Sequence, residues 1–283
     1  MTKKRRLASF LVLGAVLIVL LAGIFLTGQH GGGHGDIKGL MKDAVLHEDG
    51  KISLLGITNV NPSLISGFVV TAVLLIFAAA MRIFVIPKFT IVPGKLQMLL
   101  ETAVGLFDGM AKSNSPHRNK FLGAYIFAAG AYIFMGTLFE LLGIQVTNTG
   151  GHSMALPAPL ADINGAIAMG CLSYCIIMSG GISANGVKGA LLTLKDFSLP
   201  ISMSFRLFGA LLSGLLVTEL VYHYMALSFV LPVIVGVLFT MLHALIQAYV
   251  LTMLTAMFYG EVSEVHEHKP KKEKKAKAQK AAA

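Results

Sequence analysis

Tryptophan is absent, cysteine occurs twice, and only 13% of the 283 residues are charged, against about 25% in a typical soluble domain. So little charge cannot clothe a water-soluble surface. Two cysteines, Cys171 and Cys175, exclude a disulfide framework and any multi-cysteine zinc pattern. Four residues apart on an apolar stretch, they are expected as small packing residues. There is also no phosphate loop, HExxH zinc motif, GxSxG elbow or dinucleotide fingerprint. Their absence argues against a soluble-type catalytic centre, so the chain is expected to be no enzyme by itself and to need no cofactor.

Long apolar runs are what the chain does have. Hydrophobic residues make up 55% of it, and six stretches approach or exceed the roughly 20 residues that cross a hydrocarbon core as a helix. They fall at residues 7 to 27, 63 to 87, 121 to 145, 163 to 184, 198 to 222 and 228 to 260. The expected fold is therefore an all-α integral membrane protein with about six transmembrane helices. One amphipathic surface helix is added by residues 93 to 113. There Leu96, Leu99, Leu100, Val104, Phe107 and Met110 share one helical face, with Gln97, Glu101 and Asp108 on the other.

The formal charge of +9 would suit a nucleic-acid binder, but it is concentrated at the ends. Residues 1 to 6 carry four Lys/Arg and no acid, and residues 262 to 283 carry seven Lys against three Glu. Basic residues mark the cytoplasmic side of a membrane protein. With Met1 inside, the inside segments hold 19 Lys/Arg and the outside segments three, leaving Arg206 within the membrane. Both ends are then cytoplasmic, in what is expected to be a bacterial plasma (inner) membrane, and the partner is a lipid bilayer, not nucleic acid.

This divides the chain into four parts. Residues 1–28 form an N-terminal transmembrane helix, a cleavable signal peptide being the alternative; the apolar run is longer than a typical signal's. Residues 29–62 are an outside linker, with a solvated GQHGGGHGD stretch. Residues 63–261 form a membrane ion-channel domain, and residues 262–283 a disordered, basic cytoplasmic tail.

Ionisable groups inside apolar helices are costly and point to an ion pathway. Arg206 lies about 12 Å along its helix. A guanidinium does not lose its proton, so Arg206 is a fixed charge, not a relay. Gly209, Ala210, Ser213 and Gly214 follow on its side of the helix, a small stripe that lets another helix come close. Thr240, His243 and Gln247 form one polar stripe on the last span, where His243 can exchange protons and Gln247 can only hydrogen-bond. Glu219 is turned about 220° from Arg206 and pairs with His223 one turn on, as an outer vestibule would require. Asp162 sits before the fourth span as a helix cap or a channel residue. Glu140, near the outer end of the third span, reads as an interfacial residue.

SFRLFG at residues 204 to 209, its small stripe, and HALIQAYVLTMLTAMFYGE at residues 243 to 261 together resemble the a subunit of the F-type ATP synthase membrane sector. The sequence PLADIN from Pro159 to Asn164, and Pro93, Gln97 and Glu101, fit the same family in order. The resemblance covers roughly residues 60 to 265. It implies a stator beside a rotating c-subunit ring, with b-type peripheral stalk subunits and the remainder of the ATP synthase as further partners. It also implies two long, strongly tilted C-terminal helices along the ring and two offset half-channels. Arg206 matches the family's essential arginine and Gln247 its facing glutamine. Ions would enter past Asp162, Glu219, His223 and His243. Three positions depart from the pattern: Ala210 replaces the usual Asn, Leu215 an acidic residue whose place Glu219 can take, and Leu192 a frequent Glu. The expected function is proton passage coupled to rotation and ATP synthesis. Its alternatives are the same role with Na⁺, or a secondary transporter binding an anion at Arg206.

Overall fold

The computed structural model describes residues 52–54, 57–117, 119–147, 153–223 and 231–264, together with Ile18; at Leu215, Glu219 and His223, among others, only the backbone is described. The expected first span, the glycine-histidine stretch and the basic tail lie outside the described residues, except for Ile18.

Helices occupy five of the six expected stretches; by length and composition four are able to cross a membrane, and a fifth if the bent pair Val187–Lys195 and Ser198–Gly214 is one span. A small hairpin of β1 (Ile52–Leu54) and β2 (Ile57–Val60) leads into α1 (Pro62–Ala80). Asn61 caps this helix by accepting from the Ser63 N–H at 3.0 Å, with Pro62 at the first helical position. The helix runs on through a π turn, Met81–Val85, and a 3₁₀ turn, Ile86–Lys88, which together give a continuous apolar span of 27 residues, Pro62–Lys88. Phe68, Leu75, Ile76, Phe77, Ile83 and Phe84 stand exposed along it, a surface suited to lipid rather than water.

The expected amphipathic helix is α2 (Lys95–Asn114). The Gln97 amide holds its start, donating to the Thr90 carbonyl at 3.0 Å and to Glu101 Oε1 at 2.8 Å, and accepting from the Thr90 N–H. Its apolar residues divide. Leu96, Leu99 and Val104 are exposed, whereas Phe107 and Met110 pack on the core, Phe107 meeting Phe127 edge-on at 5.6 Å.

Four helices build the core: α3 (Lys120–Phe139), α4 (Ile163–Asn185), α6 (Ser198–His223) and α7 (Leu231–Ser263). Leu122, Ile126, Ala129 and Ile133 recur on the buried side of α3 at helical spacing; Met203, Leu207 and Leu211 do the same on α6. On α7 the buried set is Ala244, Gln247, Ala248, Leu251, Thr255, Ala256 and Tyr259. Small residues set the closest approaches. A side chain at Gly170 would strike Ser204 and the Pro200 carbonyl, and one at Gly180 the Tyr259 ring, as expected where helices associate without a hydrophobic drive between them. Several interior hydroxyls are satisfied within their own helices, for example Thr137 to the Ile133 carbonyl at 2.7 Å and Thr255 to the Leu251 carbonyl at 2.8 Å; the buried Ser63 hydroxyl has no partner among the described residues.

Besides the β1–β2 hairpin, which lies in the expected outside linker, three features are additional to the sequence expectation. A hairpin of β3 (Gln145–Thr147) and β4 (Ser153–Ala155) follows the 3₁₀ turn Glu140–Leu142 and Gly143, whose φ of 57° turns the chain. A 3₁₀ turn, Pro159–Ala161, enters α4. A short α5 (Val187–Lys195) precedes α6 and is bent 51° from it. Cys171 and Cys175 are free and exposed instead of packing inward: the buried side of α4 runs through Ala166, Met169, Gly170, Ser173 and Ile177, which turns both thiols away.

Candidate functional site

Arg206 lies on the outer face of α6, exposed together with Ile201, Phe205, Gly209 and Ser213. These positions recur every three to four residues, so the arginine sits in a stripe that is otherwise apolar or small. Among the described residues it has no acidic partner. The small set divides between two faces. Gly209 has nothing near its open side and Ser213 is exposed, its hydroxyl returning to the Ala210 carbonyl at 2.7 Å. Ala210 is intermediate, and Gly214 turns inward, its open side facing His243 Nδ1.

The polar stripe of α7 faces inward, away from the exposed side of that helix. Gln247 is buried, 5% exposed, and its Oε1 has no hydrogen-bond partner among the described residues. No hydrogen bond joins Gln247 to Arg206 among the described residues. The physical reason is rotational: Gln247 shares the buried side of α7 with Ala244, Ala248 and Leu251, whereas Arg206 sits opposite the buried Met203, Leu207 and Leu211 of α6.

His243 Nδ1 lies 2.8 Å from the Phe239 carbonyl, one turn back, and its ring rests on Phe239 at 5.8 Å. A carbonyl only accepts, so Nδ1 carries the hydrogen and the Nε2 lone pair is the proton-accepting end. His243 lines a cavity with Thr240, Thr137, Glu140, Leu211 and Gly214. Its enclosed room is about 10 Å³, near the minimum that holds a single water and far below the ~300–1,000 Å³ of organic-ligand sites. Two hydroxyls, a carboxyl and an imidazole border it, a set that can pass protons.

Glu140 is the residue that sequence reasoning missed. Its place near a span end suggested the interface, but the end of α3 brings it, half-buried, to the border of this cavity. The available signal was Thr137, three residues earlier on the same side of the helix.

Asp162 is the residue preceding α4 in extended conformation, yet its carboxylate caps nothing: Oδ1 accepts from Asn61 Nδ2 at 3.1 Å, tying α4 to the start of α1. It is not among the residues bordering the cavity. Glu219 and His223 stand on the last turns of α6, and their side chains lie outside the described residues.

Residues 64–260 match the family described as ATP synthase A chain. Two curated relatives, each named ATP synthase subunit a and belonging to Cereibacter sphaeroides strains ATCC 17025 and ATCC 17029, are 25% identical over 223 residues. The alignments cover 74% of this chain and 83% of each relative.

Proposed function

Because the chain belongs to the ATP synthase A chain family, and so to the membrane-embedded, ion-transporting part of an ATP synthase, we propose that it is the stator against which a ring of c subunits turns. The observation that carries this reading is Arg206, a permanent cation exposed on an apolar face with no acidic partner among the described residues. Left facing lipid, such a charge costs roughly 2.5–3.5 kcal/mol or more. A passing carboxylate on a partner helix would remove that cost, and the open Gly209 and exposed Ser213 beside it leave room for the helix. The guanidinium attracts each ring carboxylate as it loses its ion and bars direct leakage between two half-channels.

Ions enter from outside past Asp162, Glu219, His223 and His243, meet a ring carboxylate near Gln247 and Arg206, and leave to the cytoplasm after most of a turn. The length of α7 supports a tilted placement along the ring: 33 residues make a rod of about 50 Å, well beyond a ~30 Å hydrocarbon core. The proton is the coupling ion in this reading, because imidazole suits transition metals and not Na⁺ as a ligand. The Lys/Arg distribution supports both ends being cytoplasmic. ATP itself is made by other subunits.

The test is the assembled complex carrying Arg206→Ala in proteoliposomes. ATP-driven proton pumping is expected to fall to background. Pumping that stays coupled to hydrolysis would overturn the proposal.

A further inference from the structure

We propose that the apolar run at residues 7–27 stays in the mature chain and packs, antiparallel, along the uncovered face of α1. This goes beyond the stator reading and does not depend on it.

Among the described spans the one built on α1 is the barest: 6% of its apolar stretch is buried, against 44% for Lys120–Leu142 and for Ile163–Asn185. Its buried residues Ser63, Ser66 and Val70 recur on one side of the helix. The opposite side carries Ala72, Ile76 and Ala79, again at helical spacing, and all three are exposed.

The point where the chain enters the structure favours one occupant for that face. Ile52 is buried in one cluster with Val70, Phe139 and Leu156, so the chain before it arrives beside the outer half of α1. Residues 28–51 join the run to that point and reach roughly 80 Å at full extension, far more than the ~10 Å between the axes of neighbouring helices. The basic residues 3 to 6 place the start of the run inside and its end outside. Run and α1 therefore share an outer end and point in opposite directions. A tether between them makes the pairing intramolecular, so modest packing is enough to hold it.

One register suits both sequences. Ala15, Ile18 and Ala22 share a face of the run, and an antiparallel alignment sets Ala15 opposite Ala79, Ile18 opposite Ile76 and Ala22 opposite Ala72. Paired alanines let two backbones approach closely, as helices in lipid require, and the isoleucines fill the level between them. The same register puts Arg6 level with Lys88, so the basic ends of both spans reach the cytoplasmic interface together. Ile18 is helical and 68% exposed, and Ile76 is 70% exposed: two open apolar faces of matching pattern.

The experiment uses the whole ATP synthase in membrane vesicles, with Cys171 and Cys175 replaced by Ser and a protease site inserted within residues 28–51. Ala15→Cys with Ala79→Cys is oxidised, the inserted site is cut, and the fraction of fragments still joined without reductant is read. The control is Leu17→Cys with Phe77→Cys, at the same level but on the far sides of both helices. Joining of the alanine pair is expected to exceed the control by at least about tenfold, because a disulfide needs Cβ atoms within about 4.5 Å. Equal yields would overturn the proposal. So would an intact mass of the wild-type subunit showing residues 7–27 removed, or a benzophenone attached at Ala79→Cys that captures another subunit or lipid instead of the run. If the alanine pair does not assemble, Ile18→Cys with Ile76→Cys, one turn away, decides on the same criterion.

Discussion

At the scale of single residues, the buried Gln247 distinguishes a functional group from a structural one. Its Oε1 is sealed from solvent without a hydrogen-bond partner among the described residues, and an unmet buried acceptor costs about 1–3 kcal/mol. Leucine has a similar volume and no polar atom, so Gln247→Leu is expected to leave the thermal stability of the assembled complex unchanged or raise it. Proton pumping, in contrast, is expected to fall several-fold. Lower stability with normal pumping would show that the glutamine only packs. Residue types at Arg206, His243 and Gln247 were legible from the sequence because charge and polarity inside an apolar run have few explanations. Their directions were not. A hundred degrees per residue fixes which positions share a face, but which face meets the neighbouring helix depends on partners far away in the chain. For that reason Glu140 read as interfacial, although the fold brings it to a cavity shared with His243.

At the scale of elements, apolar run length placed the helices well. The stretch 63 to 87 became Pro62–Lys88, and 163 to 184 became Ile163–Asn185. The short hairpins and the bent α5 escaped because they depend on turns and close contacts, not on a run of one character. Glycine shows the same division. Gly170 and Gly209 look alike in sequence, yet a side chain on Gly170 would meet Ser204 and the Pro200 carbonyl, while Gly209 opens on nothing within 4 Å. Gly170→Val is therefore expected to overpack the α4–α6 contact at a cost of about 1–3 kcal/mol, read as a lower melting temperature and less assembled complex. Gly209→Val is expected to leave the isolated subunit's stability unchanged and still reduce ATP-driven pumping, because it obstructs the outer stripe beside Arg206. Equal stability losses for both variants would remove the distinction between a packing glycine and a docking one.

At the scale of the whole molecule, the surplus of basic residues sets orientation, and the structure supplies the ruler to test it. Lys112 is exposed on α2, just before the span Lys120–Leu142, and Thr147 is exposed just beyond its far end. The 23 residues between span ends amount to about 35 Å of helix, so the two positions belong on opposite sides of the bilayer. Lys/Arg counts put Lys112 in the cytoplasm. With Cys171 and Cys175 replaced by Ser, a Lys112→Cys variant is expected to react with a membrane-impermeant maleimide in inverted vesicles and resist it in right-side-out ones. Thr147→Cys is expected to do the reverse. The opposite pattern would invert the chain, place the mouth of the Glu140–His243 cavity on the cytoplasmic side, and exchange the two half-channels while leaving the role of Arg206 intact. Under the proposed stator reading, the labelling pattern thus settles from which side ions would reach Arg206, while the expected loss of coupled pumping in Arg206→Ala is the same for either orientation.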